Sequence, residues 1–135
     1  MSMPNTYLQR AVVNVTGGSK TLAATDAGTV QNCLPTTAGT TTVITLPAVA
    51  AGNVGMAFTV RAGGPNNGDS PVTVTPNAAD GVNGLGFTSA TGKGPQALAA
   101  VVRAGDEVTL QSSGVTGVNA WYITSATGQN WTRLP

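Results

Sequence analysis

Histidine is absent from this chain, cysteine occurs once, and charged residues make up only 8% of the sequence. Catalysis near neutral pH depends on groups that transfer protons or carry charge, and histidine is the most common of them. A chain this poor in such groups is not expected to be an enzyme. The sequence predicts no catalytic residues, no cofactor-binding residues, no cofactor and no metal site.

Charge is too sparse to form a binding surface for a charged polymer. The six basic residues are scattered along the chain and form no run. Because a row of phosphates needs a cluster of Lys and Arg, nucleic-acid binding is not expected. No apolar stretch reaches the roughly 18 residues of a membrane-spanning helix, so no membrane partner is expected either. The N-terminal residues also lack the pattern of a signal peptide.

Disulfides and aromatic residues are equally scarce. Cys33 is the single cysteine, which excludes an intrachain disulfide and fits a reducing compartment. With no histidine to activate it, Cys33 is interpreted as a small buried apolar residue. Only 4% of the residues are aromatic. A core built mainly from Ala and Val is thin, so burial against a second copy or another subunit is expected to add stability.

What the chain has is Thr, Val, Ala and Gly in short alternating runs. Period-two alternation with many β-branched residues predicts strands, and turn signals recur about every 8–12 residues. Prolines lie at strand borders, as at Pro47 and Pro71. We expect Val108 and Leu110 to share one face, and Trp121 and Tyr122 to face opposite sides. Strands are predicted at 10–16, 21–22, 28–34, 41–46, 56–61, 72–75, 97–103, 107–111 and 120–124.

These strands predict an all-β fold, a single-domain antiparallel sandwich with a jelly-roll-like arrangement. Residues 1–9 would form an N-terminal arm, 10–127 the sandwich and 128–135 a C-terminal tail. No exact internal repeat is visible, which argues against a solenoid.

The acidic residues do not form a convincing site. Asp69 and Asp80 lie in turn sequences, and Asp106 and Glu107 are neighbours that a strand would point to opposite faces. A glycosidase needs two carboxylates about 5–10 Å apart across a cleft, so a polysaccharide-cleaving enzyme is disfavoured. The segment 66–69 has a faint likeness to a calcium loop but lacks its acidic density.

Four segments, taken in order, resemble a small β-module of tailed-bacteriophage virion proteins. They are 21–22 with 26–30, 43–47 with 55–60, 72–76 with 80–81, and 105–110 with 121–123. The module occurs in head decoration (cement) proteins and in the distal parts of tail and head fibres. The likeness covers the chain from about residue 20 onward and consists of strand-and-turn patterns.

The resemblance implies a capsid decoration protein that binds assembled major capsid protein and stabilises the phage head. It would be made in the host cytoplasm and lie on the outer capsid surface of the virion. It would also associate with itself, as a dimer or a trimer. The alternative is a trimeric fibre or receptor-binding domain that contacts the host surface. A fibre protein is expected to have a shaft as well as this domain. The present sequence is one domain long, which favours the decoration protein.

Candidate interface residues are apolar or aromatic side chains, together with one arginine, in segments without periodicity. Those of the N-terminal arm would lie on a neighbouring subunit, and Trp131 and Arg133 of the tail are of types enriched at interface hot spots. Two more lie in the Gly-rich segment 81–86 and the residue after it. The candidates are Met3, Pro4, Tyr7, Leu8, Leu85, Phe87, Trp131, Arg133 and Leu134.

Overall fold

Two β-sheets make up the fold of this protein in a computed structural model, which describes residues 10–63, 69–87, 90–128 and 131–135. Short 3-10 turns lie at Ala24–Asp26 and Ala51–Asn53. Eleven strands are formed within the described ranges: β1 (Val12–Val15), β2 (Ser19–Thr21), β3 (Val30–Cys33), β4 (Thr42–Thr45), β5 (Ala57–Ala62), β6 (Val72–Thr75), β7 (Val82–Asn83), β8 (Pro95–Ala97), β9 (Glu107–Ser112), β10 (Trp121–Thr127) and β11 (Trp131–Arg133).

The first six strands alternate between the two sheets. Sheet A has the order β1-β3-β5-β9-β10-β7, and sheet B has the order β11-β8-β6-β4-β2. Within each sheet the first three strands are parallel neighbours, so the chain winds three times around a shared core. Coils of unequal length wind in this way without an exact sequence repeat.

The predicted single-domain all-β sandwich is confirmed, and two packed sheets are compatible with a jelly-roll-like outline. The expectation of antiparallel strands holds only in part. Strand β9 pairs antiparallel with β5 and β10, and β8 pairs antiparallel with β6 and β11. The parallel pairs among β1 to β6 arise because each connection crosses to the opposite sheet and returns, so the next strand enters in the same direction. Strand β7 also pairs parallel with β10. Turn residues do not distinguish a crossover from a hairpin.

The core lies between the sheets, and valine is its most frequent residue. Trp121 and Phe58 are its largest fully buried side chains, with ring centroids 5.9 Å apart and a tilt of 52°. Trp121 is fully buried and Tyr122 is 45% exposed, which confirms their opposite orientations. Val108 and Leu110 are both fully buried and share the inner face, as the alternation predicts.

Two stretches differ from the sequence prediction. The strand expected at 97–103 is confined to β8, because the chain turns at Ala100, where φ is +72°. Within the tail, β11 pairs with β8 at the edge of sheet B. The tail therefore contributes a strand to the sandwich, and its Trp131 is 8% exposed and packs in the core.

Candidate docking surface

Three exposed valines lie on two loops at one end of the sandwich. Val54 follows the turn that enters β5, while Val115 and Val118 lie in the connection from β9 to β10, and we call the three the valine rim. Their exposed fractions are 68%, 62% and 44%. The two loops contact one another, since a methyl group at Gly114 would overlap the Val54 side chain. These adjoining exposed apolar side chains make this end of the sandwich the candidate docking surface.

The buried carboxylate of Asp80 fixes the loops of the valine rim. Its Oδ2 accepts the backbone N–H of Val49 at 2.9 Å, and its Oδ1 accepts the N–H of Gly117 at 3.1 Å. The side chain is fully buried. Hydrogen bonds from backbone N–H groups to a carboxylate are stronger than those between neutral groups. Asp80 therefore holds three connections together, those entering β5, β7 and β10.

Close packing and two further hydrogen bonds add to this support. A Cβ atom at Gly81 would lie 2.8 Å from the carbonyl oxygens of both Ala90 and Val118. The amide of Asn83 donates to the Val118 carbonyl at 2.8 Å, and the Thr116 hydroxyl donates to the Val49 carbonyl at 2.7 Å. The backbone beneath the valine rim is consequently tied down at several points, which lowers the entropy that binding would cost.

Leu85 and Phe87, two of the predicted interface residues, lie just beyond β7 at the edge of sheet A. Leu85 is 50% exposed and has a φ of +52°, a left-handed conformation that is rare for a branched apolar residue. Phe87 is half-buried, and its N–H bonds to the Gly84 carbonyl at 2.9 Å. The interface role of both residues stays a prediction.

The candidates in the tail differ in accessibility. Trp131 is almost fully buried, and its Nε1 donates to the Thr127 carbonyl at 3.2 Å, so little of its ring is open to a partner. Arg133 and Leu134 are half-buried, and the Leu134 N–H bonds to the Gly94 carbonyl at 2.9 Å. Arg133 and Leu134 keep the surface that an interface role requires.

Several predictions lie outside the described residues. These include the arm residues Met3, Pro4, Tyr7 and Leu8, and all of the calcium-like segment 66–69 except Asp69.

Sequence reasoning missed the valine rim, because none of its residues is part of a periodic run. The available signal was a valine flanked by Gly, Asn, Ser or Thr in a loop, as at Val54 and Val115.

The other acidic residues that we describe have structural partners. Asp106 accepts the Arg103 N–H at 2.9 Å, and Glu107 pairs with Arg61 at 3.0 Å across β9 and β5. Asp26 accepts the N–H of Ala23 at 2.9 Å in an exposed turn. In these contacts the carboxylates stabilise a backbone turn or link two neighbouring strands.

Cys33 is buried at 1% exposure in β3, as the sequence predicts. Burial raises the pKa of its thiol from 9.0 to about 12. The unfolded chain therefore loses this proton at lower pH than the folded chain. The contribution of Cys33 to stability is complete below pH 9 and is lost as pH rises toward 12, by roughly 1 kcal/mol for each pH unit in that window.

A Cys33→Val variant, which has no thiol to titrate, checks this expectation. Urea unfolding of both proteins at pH 8 and pH 10, under reducing conditions, should show a larger fall in unfolding free energy for the natural chain. Equal falls in the two proteins would contradict the assignment, whatever the variant's absolute stability.

No protein-family model matches the chain, and no curated protein matches it. In the described ranges, no helix has the length and apolar character needed to cross a membrane.

Proposed function

We propose that this protein is a capsid decoration protein that docks on assembled major capsid protein through the valine rim and stabilises the phage head. The observation that carries the proposal is the rim itself, three exposed valines on loops fixed by a buried carboxylate. A rigid apolar surface of this kind suits a permanent contact between proteins. The choice of major capsid protein as the partner rests on the resemblance to phage virion modules.

Position in the fold supports the proposal. Arg10, the first residue that the structure describes, enters β1 at the end of the sandwich that also carries the valine rim. This position follows because the Gly28 N–H before β3 bonds to the Ala57 carbonyl and the Gly55 N–H bonds to the Ser112 carbonyl. A predicted N-terminal arm would thus leave the domain beside the rim. Arm and rim together would contact neighbouring shell subunits.

The mechanism is burial of surface on a site that exists after the shell has assembled. A ligand that binds one state and not another stabilises that state by mass action. The loops of the valine rim carry no charged side chain except the buried Asp80. Docking there would bury no exposed charged group. Removing water from a charged group costs a large free energy when the group is buried in an apolar contact.

Changing the rim tests the docking surface. We expect Val54→Asp with Val115→Asp to lower affinity for purified capsids by at least about tenfold, because each charge would have to be desolvated. The matched control is Leu98→Asp with Val101→Asp, which places the same charges at the opposite end of the sandwich. These side chains are also exposed, at 46% and 43%. Co-sedimentation with capsids measures binding, and thermal unfolding checks that each variant folds.

Retained affinity in the rim variant, or equal losses in both variants, would contradict docking through the valine rim. Quantitative mass spectrometry of purified virions tests the class of function separately. A copy number near that of the major shell subunit is expected for a decoration protein.

A fibre or receptor-binding domain is the second candidate. The exposed ring of Tyr122 on the outer face of β10 favours it, because aromatic side chains are common in recognition surfaces. A few copies per virion, with host binding abolished by Tyr122→Ala, would replace the decoration model with this one.

A further inference from the structure

The two sheets have four edge strands, and they differ in how well they are protected. Strand β7 is two residues long, β11 is three residues long and contains Arg133, and β2 is three residues long and contains Lys20. Short length and charge are the usual means by which proteins prevent strand addition at an edge. Strand β1 has neither, since its four residues are Val-Val-Asn-Val.

The hydrogen-bond pattern shows which backbone groups of β1 face outward. The carbonyls of Ala11 and Val15 accept the N–H groups of Val30 and Leu34 at 2.9 and 2.8 Å. In a parallel ladder alternate residues bond to the same neighbour, so the odd-numbered residues of β1 face β3. The N–H and C=O groups of Val12 and Asn14 therefore point away from the sheet. The Val12 side chain is 54% exposed beside them.

Geometry argues against addition of a strand to this edge from the same chain. Parallel addition to β1 would require a crossover like the one between β1 and β3, which spans 16–29 and is longer than the segment 1–9. Antiparallel addition would require a tight turn immediately before β1. The residues there continue the line of the strand, because Ala11 bonds to Val30 and the Arg10 guanidinium donates to the Thr59 hydroxyl at 2.8 Å.

We propose that the β1 edge accepts the N-terminal segment of a second copy of this chain, which adds a strand to sheet A. The segment 1–9 has no charged side chain and contains Thr6 and Tyr7, which favour strands. Pro4 limits the added strand to the residues that follow it. Each copy has one donor segment and one acceptor edge, so exchange closes into a dimer or a trimer. This self-association does not depend on capsid binding.

The proposal is tested on the purified chain by sedimentation velocity at several concentrations. The full chain is expected to be a dimer or trimer, and deletion of Met1–Leu8 is expected to give a monomer. Val12→Pro removes the outward N–H of β1 without removing a hydrogen bond to β3, and it should also give a monomer. Val12→Thr keeps that N–H and a β-branched side chain, so it should associate like the natural chain.

Hydrogen exchange supplies a second measurement at the edge itself. The amides of Val12 and Asn14 are expected to exchange at least about tenfold more slowly in the full chain than in the deletion variant, because strand pairing protects them. Addition of a peptide with the sequence of residues 1–9 should restore protection to the deletion variant. The hydrogen-exchange measurement does not depend on whether Val12→Pro folds.

Three outcomes would overturn the proposal. A full chain that remains a monomer at high concentration would do so, as would an oligomer that persists after deletion of Met1–Leu8. Protection of Val12 and Asn14 in a monomer would show that the segment pairs within its own chain. Because no capsid is present, each result is independent of the decoration model, which the virion copy number tests.

Discussion

Replacement of Trp121 by alanine is expected to lower the free energy of unfolding by about 3–5 kcal/mol, the largest loss of any single substitution considered. The side chain is fully buried and packs against Phe58, and most of the rest of the core is aliphatic. A core with so few aromatic rings cannot collapse to fill the cavity that the indole would leave. Urea unfolding followed by far-UV circular dichroism measures the loss.

Phenylalanine at the two tryptophan positions provides the control. The Nε1 of Trp121 is buried without a hydrogen-bond partner among the described residues, so Trp121→Phe loses volume but no hydrogen bond. The Nε1 of Trp131 donates to Thr127, and Trp131→Phe loses that bond. The loss of unfolding free energy in Trp121→Phe is expected to be well under half of the loss in Trp121→Ala. A loss below about 1 kcal/mol in Trp121→Ala would contradict the central position of this ring.

Replacement of Asp80 by alanine is expected to cost about 2–4 kcal/mol, because the buried N–H groups of Val49 and Gly117 would both lose their acceptor. Asp80→Asn keeps one acceptor oxygen but turns an amide donor toward the other N–H, so it should also destabilise. Chemical denaturation measures both variants. Asp26→Ala is the matched control, since Asp26 also accepts a backbone N–H but lies in an exposed turn, and a loss of about 1 kcal/mol or less is expected there.

The Asp80 variants also connect the fold to the proposed function. If the carboxylate fixes the loops of the valine rim, Asp80→Asn should weaken capsid binding even at a temperature at which the domain remains folded. The rim valines are unchanged in this variant, so the loss would come from their positions and not from their chemistry. Unchanged binding by a folded Asp80→Asn protein would show that the loops keep their arrangement without the carboxylate.

The candidate site could be predicted from the sequence only in part. The Gly-rich segment after β7 indicated Leu85 and Phe87, because apolar residues among glycines are unusual in a loop. The valine rim was missed, because its two loops are far apart in the chain and come into contact only in the folded structure. The sequence placed Asp80 in a solvated turn, whereas its hydrogen bonds to Val49 and Gly117 bury it completely. Contacts between distant loops leave no local pattern.

The sequence by itself determined the class of fold and the faces of most strands. Period-two alternation depends on local backbone geometry, so Val108 with Leu110 and Trp121 against Tyr122 were predictable from their positions. The tertiary structure alone decided that the first six strands wind between two sheets in parallel pairs. A turn sequence states where a strand ends, but not which sheet receives the next one. That choice depends on the burial of both faces by the whole chain, and it also places β1 at the edge of sheet A among the described strands.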